Sequence, residues 1–83
     1  MPKWFVYMVK CRDGTLYTGI TNDLIARIEK HNSGKGAKYT RSRRPVALVW
    51  SKTVRTESTA RKQEAGLKRL DRTAKLKLID HED

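Results

Sequence analysis

Residues 4–20 read Trp-Phe-Val-Tyr-Met-Val-Lys-Cys-Arg-Asp-Gly-Thr-Leu-Tyr-Thr-Gly-Ile, and the turn in their middle decides the architecture. An apolar run, an Asp13-Gly14 turn signal and a second run of strand composition predict a β-hairpin, with strands over about residues 4–10 and 15–20. Each strand carries one tyrosine, Tyr7 or Tyr17. Two loops are compatible with the pattern. A two-residue loop at Asp13-Gly14 pairs Lys10 with Tyr17 and, because successive residues alternate faces, sends the two phenols to opposite sides. A three-residue loop, Arg12-Asp13-Gly14, puts Gly14 at the left-handed position such loops favour and pairs Val9 with Tyr17. Tyr7, Val9, Tyr17 and Gly19 then share one face. Strands favour aromatics, so taken alone the hairpin asks no more of these tyrosines than packing.

Outward from the hairpin, the first strand is apolar on both faces, as a central strand covered on both sides would be. Thr21 and Asp23 supply helix N-cap chemistry, and a helix follows to about Asn32 with Leu24, Ile25 and Ile28 as its apolar stripe. At about 100° per residue, Arg27 and His31, spaced i and i+4, lie at the edge of that stripe and face the hairpin. Residues 33–45 form the most basic segment and read as a loop. Gly34 and Gly36 end the helix there and permit close backbone approach; Lys35, Lys38, Arg41, Arg43 and Arg44 suit phosphates, and Tyr39 suits stacking on a base. A third strand is expected over residues 46–50. Thr56 or Ser58 caps the next helix, whose stripe is Ala60, Leu67, Leu70 and Ala74. Glu64 lies at the margin of that stripe, where a carboxylate needs a basic partner, a hydrogen-bond network or a metal. Asp71 is placed to cap a last helix holding Leu76, Leu78 and Ile79, and the acidic residues 80–83 read as a frayed end.

Composition bounds the function. The 83 residues suit one domain, 1–83, with a modest core. A single cysteine, Cys11, excludes an internal disulfide and a cysteine-pair zinc site. The longest apolar run, residues 4–9, is too short to span a membrane, and no secretory signal is legible, so a cytoplasmic location is expected. The net charge of +10 calls for a polyanionic partner: DNA, RNA including ribosomal RNA, or an anionic membrane surface. Gly14 and Gly19 have phosphate-loop spacing, but Ile20-Thr21 stands where the lysine is required. The two histidines are too far apart in sequence to make a metal cluster, and no nucleophile elbow supports a serine triad.

With Tyr7, Tyr17, Gly19, Arg27, His31 and Glu64 in hand, the chain resembles the GIY-YIG nuclease superfamily, and most of all its small stand-alone bacterial members. The resemblance covers roughly residues 4–79. It rests on Val6-Tyr7 and Tyr17-Thr18-Gly19 as the name motifs, on Gly19-Ile20-Thr21-Asn22, and on Leu24, Arg27, His31 and Asn32 in one helix. Gly36-Ala37-Lys38-Tyr39-Thr40 and Glu64 on a later helix complete it. Phe5 replaces the first-motif glycine, Thr18 replaces the second-motif isoleucine, and no late asparagine completes the set; both tyrosines are retained. The resemblance implies an α+β domain with a three-stranded antiparallel sheet flanked by helices. It also implies hydrolysis of DNA phosphodiesters with one divalent cation, Mg²⁺ or Mn²⁺. In that scheme Tyr7 is the general base, Tyr17 orients water and phosphate, Arg27 holds the scissile phosphate, His31 supports the network and Glu64 binds the metal. Nucleic acid, DNA before RNA, is the partner, with neither a membrane nor a small-molecule cofactor; nothing in the sequence sets the oligomeric state.

These residue types suit the chemistry. A lone carboxylate fits one hard cation whose other ligands are waters and phosphate oxygens. Arginine offers a planar, bidentate grip on phosphate. A tyrosine base needs a pKa below its ordinary value of about 10, for which Arg27, Lys10 or the metal is available. With no attached specificity domain in view, cutting directed by nucleic-acid structure is expected, with branched or damaged DNA as the candidate substrates. The alternative is a nuclease fold that binds DNA or RNA without cutting, including a ribosome-associated role. The whole scheme requires the three-residue loop, since only that loop puts both phenols on one face.

Overall fold

The computed structural model describes residues 3–81. Seven elements follow in order: β1 (Trp4–Lys10), β2 (Leu16–Thr21), α1 (Leu24–Asn32), α2 (Lys38–Arg41), β3 (Ala47–Val54), α3 (Glu57–Lys68) and α4 (Arg72–His81). The fold is α+β: a three-stranded antiparallel sheet of order β2-β1-β3 with helices packed on it.

The hairpin has the three-residue loop. The Cys11 N–H donates to the Thr15 carbonyl at 2.8 Å and the Gly14 N–H to the Cys11 carbonyl at 2.9 Å, closing a loop of Arg12, Asp13 and Gly14. Gly14 has φ +86°, the left-handed region that favours glycine. The register pairs Val9 with Tyr17 and Tyr7 with Gly19. Asp13 secures the loop, its carboxylate accepting from the Thr15 hydroxyl at 2.6 Å and the Thr15 N–H at 3.1 Å.

β1 is the central strand, and its alternating side chains divide the core. Val6 and Met8 pack with Trp50, Val54 and Ala60, joined by Leu67, Leu78 and Ile79 of α3 and α4. On the other face Tyr7, Val9, Cys11 and Val46 pack with Tyr17, Leu24 and Ile28. Burying one such aliphatic side chain is worth roughly 1.5–3 kcal/mol. The apolar character of β1 on both faces therefore holds the two layers together.

Several expectations are corrected. β3 runs to Val54 rather than ending at Trp50, because β1 offers partners along its whole length, Trp4 opposite Val54. Its polar residues 51–53 are tolerated on an edge strand. A bulge at Val49 lets Val49 and Trp50 both serve the α3–α4 side. The basic segment is not all loop, since α2 forms within it. Ile25 does not join the α1 stripe; it is 75% exposed, and His31 occupies the inward face with Leu24 and Ile28. Leu70 lies beyond the end of α3 and is exposed, and Ala74 belongs to α4. Of the acidic end, Asp80 and His81 continue α4, while residues 82–83 lie outside the described residues.

Caps and clamps fix the connections. Asp23 caps α1 through the Ala26 N–H at 3.1 Å, Thr56 caps α3 through the Thr59 N–H at 3.1 Å, and Asp71 accepts from the Ala74 N–H at 2.9 Å. The Asn32 side chain imitates a strand neighbour, donating to the Val46 carbonyl at 3.0 Å and accepting its N–H at 2.7 Å. Arg72 donates to the Gly14 carbonyl at 2.8 Å, tying the start of α4 to the hairpin loop.

Space around Gly14 is open, so its replacement tests conformation alone. Gly14→Ala is expected to lower the unfolding free energy by about 1–2 kcal/mol, the cost of a side chain in the left-handed region, and Gly14→Asn by distinctly less. Urea unfolding of the two variants checks this.

Candidate active site

The site is built on the Tyr7 face of the sheet. β1 places Tyr7 there, β2 places Tyr17, α1 lays Arg27 and His31 across them, and α2 closes over the top. Tyr7, His31 and Thr40 are each fully buried. Nonetheless, the polar atoms at which they meet are paired. The Tyr7 hydroxyl lies 2.8 Å from His31 Nε2 and accepts from Arg27 Nε at 3.2 Å. On the far side of the ring, His31 Nδ1 lies 2.7 Å from the Thr40 hydroxyl, which donates to the Ala37 carbonyl at 3.0 Å. The Arg27 contact uses Nε and leaves both terminal nitrogens outside this network.

Two glycines make the packing possible. A Cβ at Gly19 would stand 2.5 Å from the Tyr7 hydroxyl oxygen, and one at Gly36 would stand 2.5 Å from His31 Nδ1. The backbone approach expected at Gly36 is to a ligand; at both Gly19 and Gly36 the close neighbours are instead side chains of the site itself.

Aromatic contacts form the wall. Tyr17 meets the His31 ring edge-on at 5.4 Å, and Tyr39 stacks on Tyr17 at 5.7 Å and 26°. The Arg43 guanidinium lies 4.1 Å from the Tyr39 ring centre, donates to the Tyr39 carbonyl at 2.7 Å and pairs with Asp13 at 3.0 Å. Arg43 is therefore a strut between the hairpin loop and α2, with Nε and one terminal nitrogen engaged inside the protein. Tyr39 is 39% exposed, with an aromatic partner already in place.

The remaining positions are distributed as follows. Lys35, Lys38, Arg41 and Arg44 are exposed; Arg41 and Arg44 line a cleft with Arg12 and Asn32. Lys10 is exposed at the end of β1, on the Val6–Met8 side of the strand, so it is not brought to the tyrosines. Glu64 is half-buried on α3 and pairs with Lys68 at 3.4 Å, one helical turn away. Its charge is also felt at the Tyr7 phenol. Among the described residues no three His, Cys, Asp or Glu side chains gather at metal-ligating distance.

Electrostatics set the resting protonation. Burial pushes the Tyr7 phenol above its ordinary value; the hydrogen bond and charge of Arg27 oppose this, while Tyr17 and Glu64 add to it. The lowered tyrosine pKa expected from Arg27 or Lys10 is therefore reversed in the resting protein, because desolvation outweighs Arg27 and Lys10 is elsewhere. Burial pushes the His31 imidazole below its ordinary value, and the nearby Arg27 charge pushes the same way. At neutral pH the site holds a neutral phenol against a neutral imidazole.

The model of the GIY-YIG catalytic domain matches residues 3–77. The chain belongs to the GIY-YIG nuclease family. A UPF0213 protein of Staphylococcus epidermidis is 57% identical over 79 residues, covering 95% of this chain and 96% of that one. A UPF0213 protein of Desulfotalea psychrophila is also 57% identical, over 94% of this chain and 72% of its own length. The solution structure of a UPF0213 protein from Bacillus halodurans superposes with a TM-score of 0.63 at 42% identity, covering 96% of this chain and 85% of that one. The matched range includes Tyr7 and Tyr17, which the hairpin register places on one face of the sheet.

Thr40 has no role legible in the sequence, and neither do the structural ties made by the Asn32 and Asp13 side chains. Thr40 lies nine positions after His31 across two glycines, a separation at which no periodicity signals contact.

The depressed His31 pKa predicts a pH dependence of stability. The unfolded chain takes up the histidine proton near pH 6.5, and the folded chain only at lower pH. Stability is therefore fully present above pH 6.5 and declines as pH falls through the folded-state value. Urea midpoints measured from pH 7.5 downward are expected to fall in this window for the native chain and to stay flatter for His31→Gln.

Proposed function

We propose that this protein hydrolyses phosphodiester bonds of nucleic acid, DNA in the first place, with one Mg²⁺ or Mn²⁺ ion. The observation that carries the reading is the Arg27–Tyr7–His31 arrangement. A phenol that must lose a proton stands against a neutral imidazole nitrogen, under a guanidinium whose terminal nitrogens are unspent. His31 Nε2 takes the Tyr7 proton; the phenol O–H breaks, an N–H forms, and Arg27 Nε steadies the phenolate. The terminal nitrogens of Arg27 hold an oxygen of the scissile phosphate. One guanidinium thus aligns base and phosphate; the phenolate takes the proton of the attacking water as the new P–O bond forms and the P–O bond to the leaving sugar oxygen breaks, and that alkoxide takes a proton from solvent as His31 returns its own to solvent. Tyr17, on the same face, walls the approach.

The donor set fits a cation carried largely by its substrate. Glu64 is a single half-buried carboxylate, and Mg²⁺ commonly binds through one or two carboxylates, several waters and substrate phosphate. Glu64 would hold it, and when bound it would supply charge stabilisation at the phosphate and leaving oxygen. The surrounding lysines and arginines contact phosphates, which position a nucleic acid without reading its sequence. Cutting is therefore directed by the shape of the substrate.

Complete burial of Tyr7 favours a second reading, in which the fold binds nucleic acid without cutting it. A plasmid-nicking assay with Mg²⁺ and with Mn²⁺ separates the two. The nuclease reading expects metal-dependent nicking that Tyr7→Phe reduces about 10²- to 10⁴-fold, the usual contribution of a positioned acid–base group, and that Glu64→Ala abolishes by removing the carboxylate that would hold the metal. Cleavage by the purified double variant at the native rate overturns it. Tight, steeply salt-dependent binding with no product under either metal establishes the second reading.

Metal affinity provides a separate check. Without nucleic acid, Mg²⁺ is expected to raise the melting temperature by no more than a degree or so at millimolar concentration, since ligand stabilisation follows RT ln(1 + [L]/Kd) and one carboxylate binds weakly. Differential scanning fluorimetry with and without a short duplex tests this.

A further inference from the structure

The hydrogen bonds around His31 can be assigned a direction, and the direction gives Thr40 a task. Five groups stand in a row: Arg27 Nε, the Tyr7 hydroxyl, the His31 ring, the Thr40 hydroxyl and the Ala37 carbonyl. Between them are four contacts, of 3.2, 2.8, 2.7 and 3.0 Å. A guanidinium N–H can only donate, and a carbonyl can only accept. Arg27 therefore occupies the acceptor side of the Tyr7 oxygen at one end, and Ala37 draws the Thr40 proton at the other. With a neutral imidazole four protons remain, one for each contact, all pointing from Arg27 toward Ala37. His31 then carries its proton on Nδ1, donated to Thr40, and turns the lone pair of Nε2 to Tyr7.

The opposite tautomer fails this accounting. With the proton on Nε2, His31 would donate to Tyr7, whose oxygen already faces Arg27. The phenol proton would then be left without an acceptor inside a residue that has no exposure. A buried unpaired donor bears its full desolvation cost with nothing to offset it, which biases the tautomers. In water the imidazole of histidine prefers the Nε2–H form, so the protein must oppose an ordinary preference.

We propose that Thr40 is a positioning residue that holds His31 in the Nδ1–H tautomer, with the Ala37 carbonyl as the anchor that orients the Thr40 hydroxyl. This gives α2 a role apart from any contact with phosphate. The helix is one short turn, and Ala37 precedes it without a side-chain cap. Thr40 is its buried residue, and Gly36 brings the preceding strand of chain directly against Nδ1. The Thr40 N–H also donates to the Ala37 carbonyl at 3.1 Å, so the anchor is held by the same turn that presents the hydroxyl. Because neutral Nε2 must accept the Tyr7 proton, the inference deepens the proposed nuclease reading and rests on it for its catalytic consequence. The tautomer itself stands independently.

The test uses the full chain with His31 labelled at both ring nitrogens, and reads the tautomer from long-range proton–nitrogen correlation spectra at pH 7.5. The native protein and Thr40→Ser, which keeps the hydroxyl, are expected to show His31 as Nδ1–H. Thr40→Val, which keeps the shape and loses the acceptor, is expected to shift the ring toward Nε2–H. An Nε2–H ring in the native protein overturns the proposal, and so does a Thr40→Val ring that remains Nδ1–H. In the nicking assay, Thr40→Val is expected to lower kcat about 10- to 100-fold with KM little changed, as loss of a ring-orienting partner commonly does, and Thr40→Ser to restore it. A merely structural threonine would alter stability and leave the nitrogen signature of the folded fraction as it was. A native Nδ1–H ring that depends on Thr40, in a protein that cuts nothing, removes the nuclease reading and leaves the tautomer assignment in place.

Discussion

One buried phenol constrains this molecule. Tyr7 stands in the middle of the central strand, shut off from water, with an oxygen that must both accept and donate. Leaving either valence empty in so dry a place costs more than a typical intramolecular hydrogen bond contributes. Arg27 and His31 supply the two valences from one helix, separated by a single turn. The placement of α1 on the sheet is thereby set by polar geometry as well as by Leu24 and Ile28. The His31 ring transmits the requirement onward to Thr40, and through it to the short turn of α2. A chain of satisfied bonds runs from a half-buried cation to a backbone carbonyl.

Close approach has to accompany this network, and two residues without side chains provide it. Gly19 lets β2 pass over the Tyr7 hydroxyl, and Gly36 lets the segment before α2 lie on the His31 ring. The same economy is visible in the charges. Of the basic residues in the segment 33–45, Arg43 is consumed by the hairpin loop and by Tyr39, whereas Lys35, Lys38, Arg41 and Arg44 remain exposed. A strut that ties Asp13 to α2 keeps the hairpin loop, Tyr17 and the His31 cover in one unit. The net charge of +10 is thus partly structural and partly available to a polyanion.

Protonation follows from burial. The same desolvation that raises the phenol lowers the imidazole, and Arg27 opposes the first shift while reinforcing the second. The result is a neutral acid facing a neutral base, with a fixed positive charge beside the oxygen that would become negative. Both shifts oppose moving the phenol proton to the imidazole, and the Arg27 charge and hydrogen bond are what favour the phenolate. Positive neighbours alone would lower the tyrosine; the dry site instead keeps the phenol protonated, with the His31 ring beside it.

The sequence by itself determined the hairpin and the central position of β1, preferred the three-residue loop only once the family resemblance put both phenols on one face, and narrowed the caps to Thr21 or Asp23, Thr56 or Ser58, and Asp71. Those features are local or periodic: they depend on alternation along a strand, on glycine at a left-handed turn position, and on side chains that reach their own backbone a few residues on. It also marked Arg27 and His31 as companions, because a helix puts i and i+4 side by side. The length of β3, the exposure of Ile25, the internal employment of Arg43, the distance of Lys10 from the tyrosines and the partnership of His31 with Thr40 were decided by tertiary structure. Each depends on which segments meet across long stretches of chain, on the other strand a residue pairs with, or on how much water remains after packing. The direction of the Tyr7 pKa shift belongs with these. The charge of Arg27 is written in the sequence, whereas the desolvation that outweighs it exists only after the chain has closed around Tyr7.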